Sequence, residues 1–269
     1  MIMTKNAVIT GAAQGLGFAI AEQLAEAEWN LILLDIDVVK LHKAKKTLEK
    51  LAPKVETYEV DLTDSADVMS WLSGFSLASV PVHLLVNNAG ITHRSATNRT
   101  SMDVFDKVMA LNWRAPVQLT KGLLTQLQEG QGTVVVVGSM AGWLPLPGRA
   151  AYCASKAAVS QFMETWRPEL LRRGIRLLMC YPSFLHTDIT KHALGSDGLY
   201  AQTERSTVGR IQAPNDMAER IIRAVNKGKS RVWGTQFIAR LGYYVWHLFP
   251  QCYRKITWKK FNEDIVRGD

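Results

Sequence analysis

The 269-residue chain reads as a single α/β domain, a doubly wound parallel sheet of about seven strands followed by an amphipathic helical extension. Three observations predict this. Short apolar runs alternate with longer stretches of helical periodicity from residue 6 to residue 234. Strands that are apolar along their whole length belong in a parallel sheet covered by helices on both faces. The first apolar run passes directly into a glycine-rich turn and then a helix, the order in which doubly wound sheets begin. Composition agrees, with 47% hydrophobic and 21% charged residues, ordinary values for a globular protein.

In chain order, NAVIT (6–10) is the first strand and TGAAQGLG (10–17) turns into a helix over Leu16–Glu28. NLILLD (30–35) is the second strand, and a lysine-rich helix follows to about Leu51. VETYEV (55–60) and ADVMSWLSGF form the third strand–helix pair, and HLLVNNAG (83–90) contains the fourth strand. Two helical stretches fill Met102–Gln128 before TVVVVG (133–138), the fifth strand. A helix covers Ala150–Arg173, where Pro168 is expected to produce a kink. IRLLMCYP (175–182) is the sixth strand, DMAERIIRAVNKG (216–228) a helix and SRVWG (230–234) the last strand. The domain division is therefore 1–234 for the sheet and its helices, and 235–269 for an extension packed on it.

Several classes are disfavoured at this level. No apolar run reaches the ~20 residues that span a bilayer, and the amino terminus enters a strand without a signal-peptide layout. Three sparse cysteines, Cys153, Cys180 and Cys252, point to a reducing, cytoplasmic setting. Cys153 reads as a packing residue in preference to a nucleophile. The net charge of +8 is concentrated in the tail, where Lys227 to Asp269 carry nine Lys/Arg against three Asp/Glu. No basic stripe lies on a recognisable nucleic-acid module, so no nucleic-acid partner is expected. His93, His186 and His192 lack ligand spacing and read as solvated surface residues, with no metal site.

Two constellations carry chemistry. In TGAAQGLG, glycines let the backbone turn tightly and approach a pyrophosphate at the positive end of a helix. Asp35, eighteen residues beyond Gly17 at the end of the second strand, can accept hydrogen bonds from both ribose hydroxyls and would repel a 2′-phosphate. Gln14 in the turn is neutral, and no Lys or Arg adjoins Asp35, which favours NAD over NADP. The competing reading makes Asp35 a cap for the next helix, a role Asp37 could fill. In SMAGWLPLPGRAAYCASK (139–156), Tyr152 and Lys156 lie one helical turn apart, with Ser139 thirteen positions upstream of the tyrosine. A cation beside a phenol lowers its pKa toward the range useful for acid–base work.

TGAAQGLG (10–17), NNAG (87–90), Asn112, Ser139 and YCASK (152–156) together resemble the short-chain dehydrogenase/reductase family over nearly the whole chain to about Gly234. The turn has the TGxxxGxG form and not the TGxxGxxG of longer epimerase-like relatives. The resemblance implies a Rossmann-like fold and hydride transfer between a nicotinamide cofactor and an alcohol or ketone. It implies Tyr152 as general acid or base, Lys156 as ribose ligand and pKa-lowering cation, Ser139 as donor to the substrate oxygen, and Asn112 as support for a water that connects Lys156 to solvent. Around the cofactor it places Gly11, Gln14, Gly15, Leu16 and Gly17 in the turn, Asp35 at the end of the second strand, Asp61 and Leu62 after the third strand, and Asn88, Ala89 and Gly90 along the adenosine. Pro182 and Thr187 follow the sixth strand, where Pro182-Ser183 replaces the family's Pro-Gly. The family commonly pairs subunits, so a homodimer or homotetramer is implied.

Met140, Trp143, Leu144 and Phe184 are the candidate substrate contacts, with residues 188–212 as a lid; the alternative is that these side chains only pack. The mix suits an apolar alcohol or ketone. In TQFIARLGYYVWHLFPQCYRKITWKKF (235–261) an apolar helical face precedes Pro250, and basic pairs interleaved with aromatics follow it. That segment either packs over the cleft or another subunit, or makes peripheral membrane contact. The reading is an NAD-dependent oxidoreductase; the alternatives are a non-catalytic NAD(H)-sensing regulator and a peripheral membrane-binding protein.

Overall fold

The computed structural model describes residues 4–76, 80–182, 185, 192–201, 212–234 and 237–261. In chain order the elements are β1 (Asn6–Thr10), α1 (Gly15–Glu26), β2 (Asn30–Asp35), α2 (Val38–Leu48), β3 (Val55–Glu59), α3 (Ser65–Ser76) and β4 (Leu84–Asn87). They continue with α4 (Met102–Met109), α5 (Ala115–Gly122), α6 (Leu124–Glu129), β5 (Thr133–Val137), α7 (Ala150–Arg172) and β6 (Arg176–Tyr181). The last are α8 (Pro214–Asn226), β7 (Arg231–Trp233), α9 (Phe237–Leu248) and α10 (Pro250–Phe261). All seven strands are parallel, in the order β3-β2-β1-β4-β5-β6-β7.

Alternate side chains of each strand feed two cores. Ile9, Leu33, Val135 and Leu178 pack beneath α1, α2 and α8, where Ile20, Leu24, Leu41 and Ile221 meet them. Val8, Ile32, Val134 and Leu177 face the other way onto Trp71, Leu119, Val159 and Met163 of α3, α5 and α7. Burial on both faces explains why the strands read as unbroken apolar runs. The strand order reverses between β1 and β4, which opens a crevice at their carboxyl ends. The glycine turn, Asp35, Asn88–Gly90 and Ser139 lie at or just past strand ends on that edge, while Asn112 and the Tyr152–Lys156 turn are carried by the helical segments that follow β4 and β5.

Boundaries differ where local backbone chemistry intervenes. α1 stops at Glu26, short of the expected Glu28, because Glu28 takes φ 58° and Trp29 N–H returns to Leu24 O at 3.0 Å. α2 stops at Leu48, short of Leu51, ahead of Pro53. The expected helical run 102–128 contains a π-helical turn, Ala110–Arg114. α7 runs as one helix through Pro168. Pro250 divides the tail into two helices as its missing N–H requires. That pair packs on the body: a Cβ at Gly242 would lie 3.4 Å from Leu144, and Tyr253 Oη donates to Pro145 O at 3.0 Å.

The tightest contact is where α1 meets its own turn. A Cβ at Gly17 would lie 2.1 Å from Gly11 O. Gly17→Ala is expected to cost about 3 kcal/mol, a fall of roughly 6–12 °C in Tm, and to abolish dinucleotide binding. Gly74→Ala, with nothing within 4 Å of the added methyl, is the control and should stabilise by about 0.5–1 kcal/mol. Thermal unfolding and NADH fluorescence on both variants check this.

Candidate active site

The turn after β1 is shaped for an anion. Gly11 and Gly15 hold φ 62° and 60°, which side chains resist. Gln14 at the N-cap of α1 makes no side-chain cap, and the first turn carries no acidic residue. The helix therefore presents uncapped N–H groups and a positive dipole end, a cradle that a phosphate fits. Asp35 stands beside it, Oδ2 accepting from Ala13 N at 2.9 Å and Oδ1 from Asp37 N at 3.0 Å. It does not cap α2; Asp37 does, accepting from Lys40 N at 3.0 Å. Lys40 also holds the Asp37 carboxyl below the usual carboxylate range.

Much of the remaining cofactor motif works on the backbone. Asn88 Nδ2 donates to Thr10 O at 3.0 Å and Gly11 O at 3.1 Å, while Thr10 Oγ1 accepts from the N–H groups of Asn88 and Ala89, each at 3.0 Å. Thr10 and Asn88 thereby lock the glycine turn to the end of β4. Asp61 turns its carboxylate onto Thr63 N (2.8 Å) and Oγ1 (2.7 Å), and Leu62 and Leu16 are buried. Gly90 runs across the lysine, where a Cβ would stand 3.4 Å from Lys156 Nζ and 3.1 Å from Asn112 Oδ1.

On α7, Lys156 Nζ lies 6.0 Å from the centroid of the Tyr152 ring. The lysine is only 4% exposed, and its ammonium donates to Val137 O at the end of β5, at 2.8 Å. Burial pulls its pKa down to about 8, offset in part by the neighbouring Cys180, whose own buried thiol is pushed up. Ser139 follows β5 and its Oγ accepts from Ala141 N at 3.1 Å, capping a one-turn 3₁₀ helix (Met140–Gly142). That turn lies flat on α7: a Cβ at Gly142 would be 2.8 Å from Lys156 O. Ser139 is thus delivered to the level of the Tyr152–Lys156 turn. Asn112 sits in the π-helical turn, a distortion common at functional sites. Its Oδ1 accepts from Ile91 N, and Nδ2 donates to Ile91 O and Ser155 Oγ, all at 2.9 Å. Ser155 Oγ in turn donates to Tyr152 O at 2.9 Å. The structure therefore brings Tyr152, Lys156 and Asn112 onto adjoining turns, with the 3₁₀ turn that Ser139 caps packed on the backbone of Lys156. Phe184 and Thr187 lie outside the described residues, and Pro182 is half-buried just past β6.

A family model described as short chain dehydrogenase matches residues 5–196. The chain belongs to the short-chain dehydrogenase/reductase family. It is 32% identical over 258 residues to dehydrogenase/reductase SDR family member 7B of Mus musculus, covering 93% of this chain and 79% of that protein. In fold it matches a short-chain dehydrogenase from Streptomyces avermitilis with a TM-score of 0.76 at 24% identity, over 97% of this chain and 98% of that one. It also matches a metagenomic short-chain oxidoreductase in complex with NADP, with a TM-score of 0.70 at 24% identity, over 86% and 98% of the two chains. As a short-chain dehydrogenase/reductase it is an oxidoreductase, and the glycine cradle and buried lysine are residues that fit a nicotinamide dinucleotide.

One histidine departs from its sequence reading. His93 is not solvated: it is fully buried, edge-on to Phe105, and its Nε2 accepts from Ala151 N, in the first turn of α7, at 3.1 Å. Since Nε2 must be an acceptor, Nδ1 carries the proton and donates to Ser95 Oγ at 3.1 Å. Ser95 Oγ passes on to Thr100 Oγ1 at 2.7 Å, which donates to Ala96 O at 2.8 Å. Every group in this chain is satisfied. On the other side of His93, Arg94 N donates to Leu194 O at 2.7 Å and Leu194 N to Thr92 O at 2.9 Å, tying the expected lid to the same segment. No periodic signal marks a lone histidine in a loop, so sequence reasoning missed this tether to the tyrosine-bearing helix. His192 is half-buried against Tyr200, and His186 lies outside the described residues.

The expected substrate contacts of this dehydrogenase/reductase divide. Met140 is half-buried directly after Ser139. Trp143 packs into an aromatic cluster with Tyr181, Trp233 and Tyr243, ring centroids 4.4, 4.9 and 5.7 Å away, and Leu144 is buried beneath Gly242. A cavity of about 690 Å³ opens beside them, lined by Pro145, Leu146, Ala150, Cys153, Trp246 and Trp258 among others. Burial raises the Cys153 thiol, whose Sγ faces Leu144 O at 3.8 Å, the environment of a packing cysteine.

Burial and the nearby Arg149 lower the His93 pKa to about 4, against an ordinary value of 6.5. The unfolded chain then binds the extra proton first as pH falls, so this contribution is complete above pH 6.5 and lost on descending toward pH 4. Urea unfolding should show the wild type losing about 3 kcal/mol across that window in excess of His93→Phe. At pH 7 His93→Phe, which strands the Ala151 N–H and Ser95, should cost about 1–3 kcal/mol.

Proposed function

We propose that this chain is an NAD-dependent dehydrogenase/reductase of apolar secondary alcohols or ketones, in which Tyr152, Lys156 and Ser139 carry the proton chemistry. The observation that carries the reading is the buried ammonium of Lys156 one turn from Tyr152, with Ser139 laid against the same turn by Gly142. NAD(H), when bound, supplies or accepts the hydride. Tyr152 gives its phenolic proton to the carbonyl oxygen in reduction and recovers it in oxidation. Ser139 Oγ donates a hydrogen bond to that oxygen and orients it. Lys156, with a pKa of about 8, is still largely protonated at pH 7; its charge favours the phenolate and its N–H groups serve the ribose hydroxyls. Asn112 braces this turn through Ser155, and supports the water expected to connect Lys156 to solvent.

NAD is preferred to NADP because the Asp35 carboxylate is pinned against the turn through Ala13 N, in position for ribose hydroxyls and repulsive to a 2′-phosphate. Asp61, Leu62 and the Asn88–Gly90 backbone line the adenosine side, and Pro182 and Thr187 serve the nicotinamide side. The cavity beside Ala150 and Cys153 supports an apolar substrate. Assembly as a homodimer or homotetramer is supported by a groove of about 640 Å³ on α4 and α7, where the 38% exposed Phe162 meets Trp113 and Trp166 edge-on. Cys153, Cys180 and Cys252 are all unpaired, which suits a cytoplasmic setting.

Tyr152→Phe should lower kcat by about 10²–10⁴-fold while the NADH Kd stays within about twofold, since the phenol's work is proton transfer. Undiminished biological action of that variant would favour the NAD(H)-sensing reading. Fluorescence titration should show NADH binding more tightly than NADPH, and Asp35→Ser should cut that preference by about tenfold or more, worth ~1.4 kcal/mol or more. Tighter NADPH binding by the wild type would overturn the cofactor assignment.

A further inference from the structure

The catalytic reading leaves the α9–α10 pair unexplained. Its inner sides are spent on the body: Gly242 on Leu144, the Tyr243 ring on Trp143, Tyr253 Oη on Pro145 O. The two helices hold each other through Trp246, which stacks edge-on with Tyr253 at 5.4 Å and receives the Arg254 guanidinium at 5.8 Å. What faces outward is apolar. Leu241, Tyr244 and Leu248 recur at helical spacing on α9, at 49%, 59% and 66% exposed, and Phe249 continues the stripe into the bend at 61%. On α10 Trp258 is 64% exposed, and Arg254 and Lys255 are exposed beside it. Such contiguous apolar exposure marks an interaction surface.

Charge decides between occupants. Residues 237–261 contain five Lys/Arg and not one Asp or Glu. A second copy docked face to face would bring like charges together, so the surface is complementary to an anionic partner. That partner must also accept Leu, Phe, Tyr and Trp together, which the headgroup–acyl boundary of a bilayer does. Each helix has 12 residues, about 18 Å of rise, short of a bilayer core. No helix among the described residues is long and apolar enough to cross a membrane.

We propose that the outward surface of α9 and α10 docks this protein on anionic lipid, with Leu241, Tyr244, Leu248 and Phe249 in the interfacial layer and the cations of α10 on headgroups. The pair rests on the 143–149 loop that joins Ser139 to α7, so the docked surface adjoins the cavity beside Cys153. The proposal is independent of which alcohol or ketone is turned over.

The test is co-sedimentation of the full chain with vesicles of phosphatidylcholine alone, and of phosphatidylcholine with about a third phosphatidylserine. Binding should require phosphatidylserine and fall steeply between about 0.1 and 0.5 M salt as screening shortens. Lys255→Gln should weaken it about fivefold, and Leu248→Glu with Phe249→Glu at least tenfold. Because these side chains are exposed, both variants should keep the wild-type Tm and NADH affinity. Absence of binding, equal binding to phosphatidylcholine, or indifference to the Leu248/Phe249 pair would each overturn the proposal. So would light scattering that shows an oligomer dispersed by Leu248→Glu with Phe249→Glu, for the face would then belong to a second copy.

Discussion

A charged amine buried in a protein must be given a partner, and the arrangement of this site follows from how Lys156 is given one. Its ammonium is withdrawn from water and donates to Val137 O at 2.8 Å, a contact that fastens α7 to the carboxyl end of β5. Desolvation brings the pKa to about 8 without discharging it at neutral pH. Neighbouring positions are shaped around that amine. Gly90 and Gly142 lack the Cβ atoms that would crowd its Nζ and its carbonyl, and Cys180 is a small buried thiol whose raised pKa keeps it neutral.

The motif residues divide into those that face a ligand and those that hold the backbone which does. Asn88, Thr10, Asn112 and Ser155 belong to the second group, their polar atoms being taken up by the turn after β1, by Ile91 and by Tyr152 O. Burying polar side chains is tolerable only when they are bonded, and here Thr10 and Asn88 stitch the end of β1 to that of β4 while Asn112 ties the segment after β4 to α7. The N-terminus of α1 is the complementary case: it carries no side-chain cap and follows the glycine turn, so its N–H groups remain available to a phosphate.

Beyond the shared motifs, two elements brace α7 and the loop before it. His93 holds the N–H of Ala151 from the β4 side, neutral because it is buried and because Arg149 disfavours its protonation. From the opposite direction, α10 pins the loop at Pro145 through Tyr253, whose phenol is pushed up to about 12 by burial and so stays a donor. The segment that links Ser139 to Tyr152 is therefore fixed by contacts from the tail as well as from the sheet.

The fold class and the strands were legible in the sequence, as was the placing of the glycine turn and of Tyr152 and Lys156 on one helix, because each has a local or periodic signature. Two-sided burial makes apolar runs such as TVVVV, a turn needing positive φ demands glycine at 11 and 15, and one helical turn separates Tyr152 from Lys156. Helix ends slipped by a few residues because they depend on single backbone conformations such as that of Glu28. The tertiary structure alone decided what long-range pairing creates: Asp35 as partner of Ala13 and not a helix cap, Trp143 and Leu144 packed against the tail, and the π-helical turn that aims Asn112. His93 is the clearest instance. Whether a loop histidine meets water or the first N–H groups of a helix 58 residues away depends on which surfaces the sheet brings together, and no nearest-neighbour pattern encodes that.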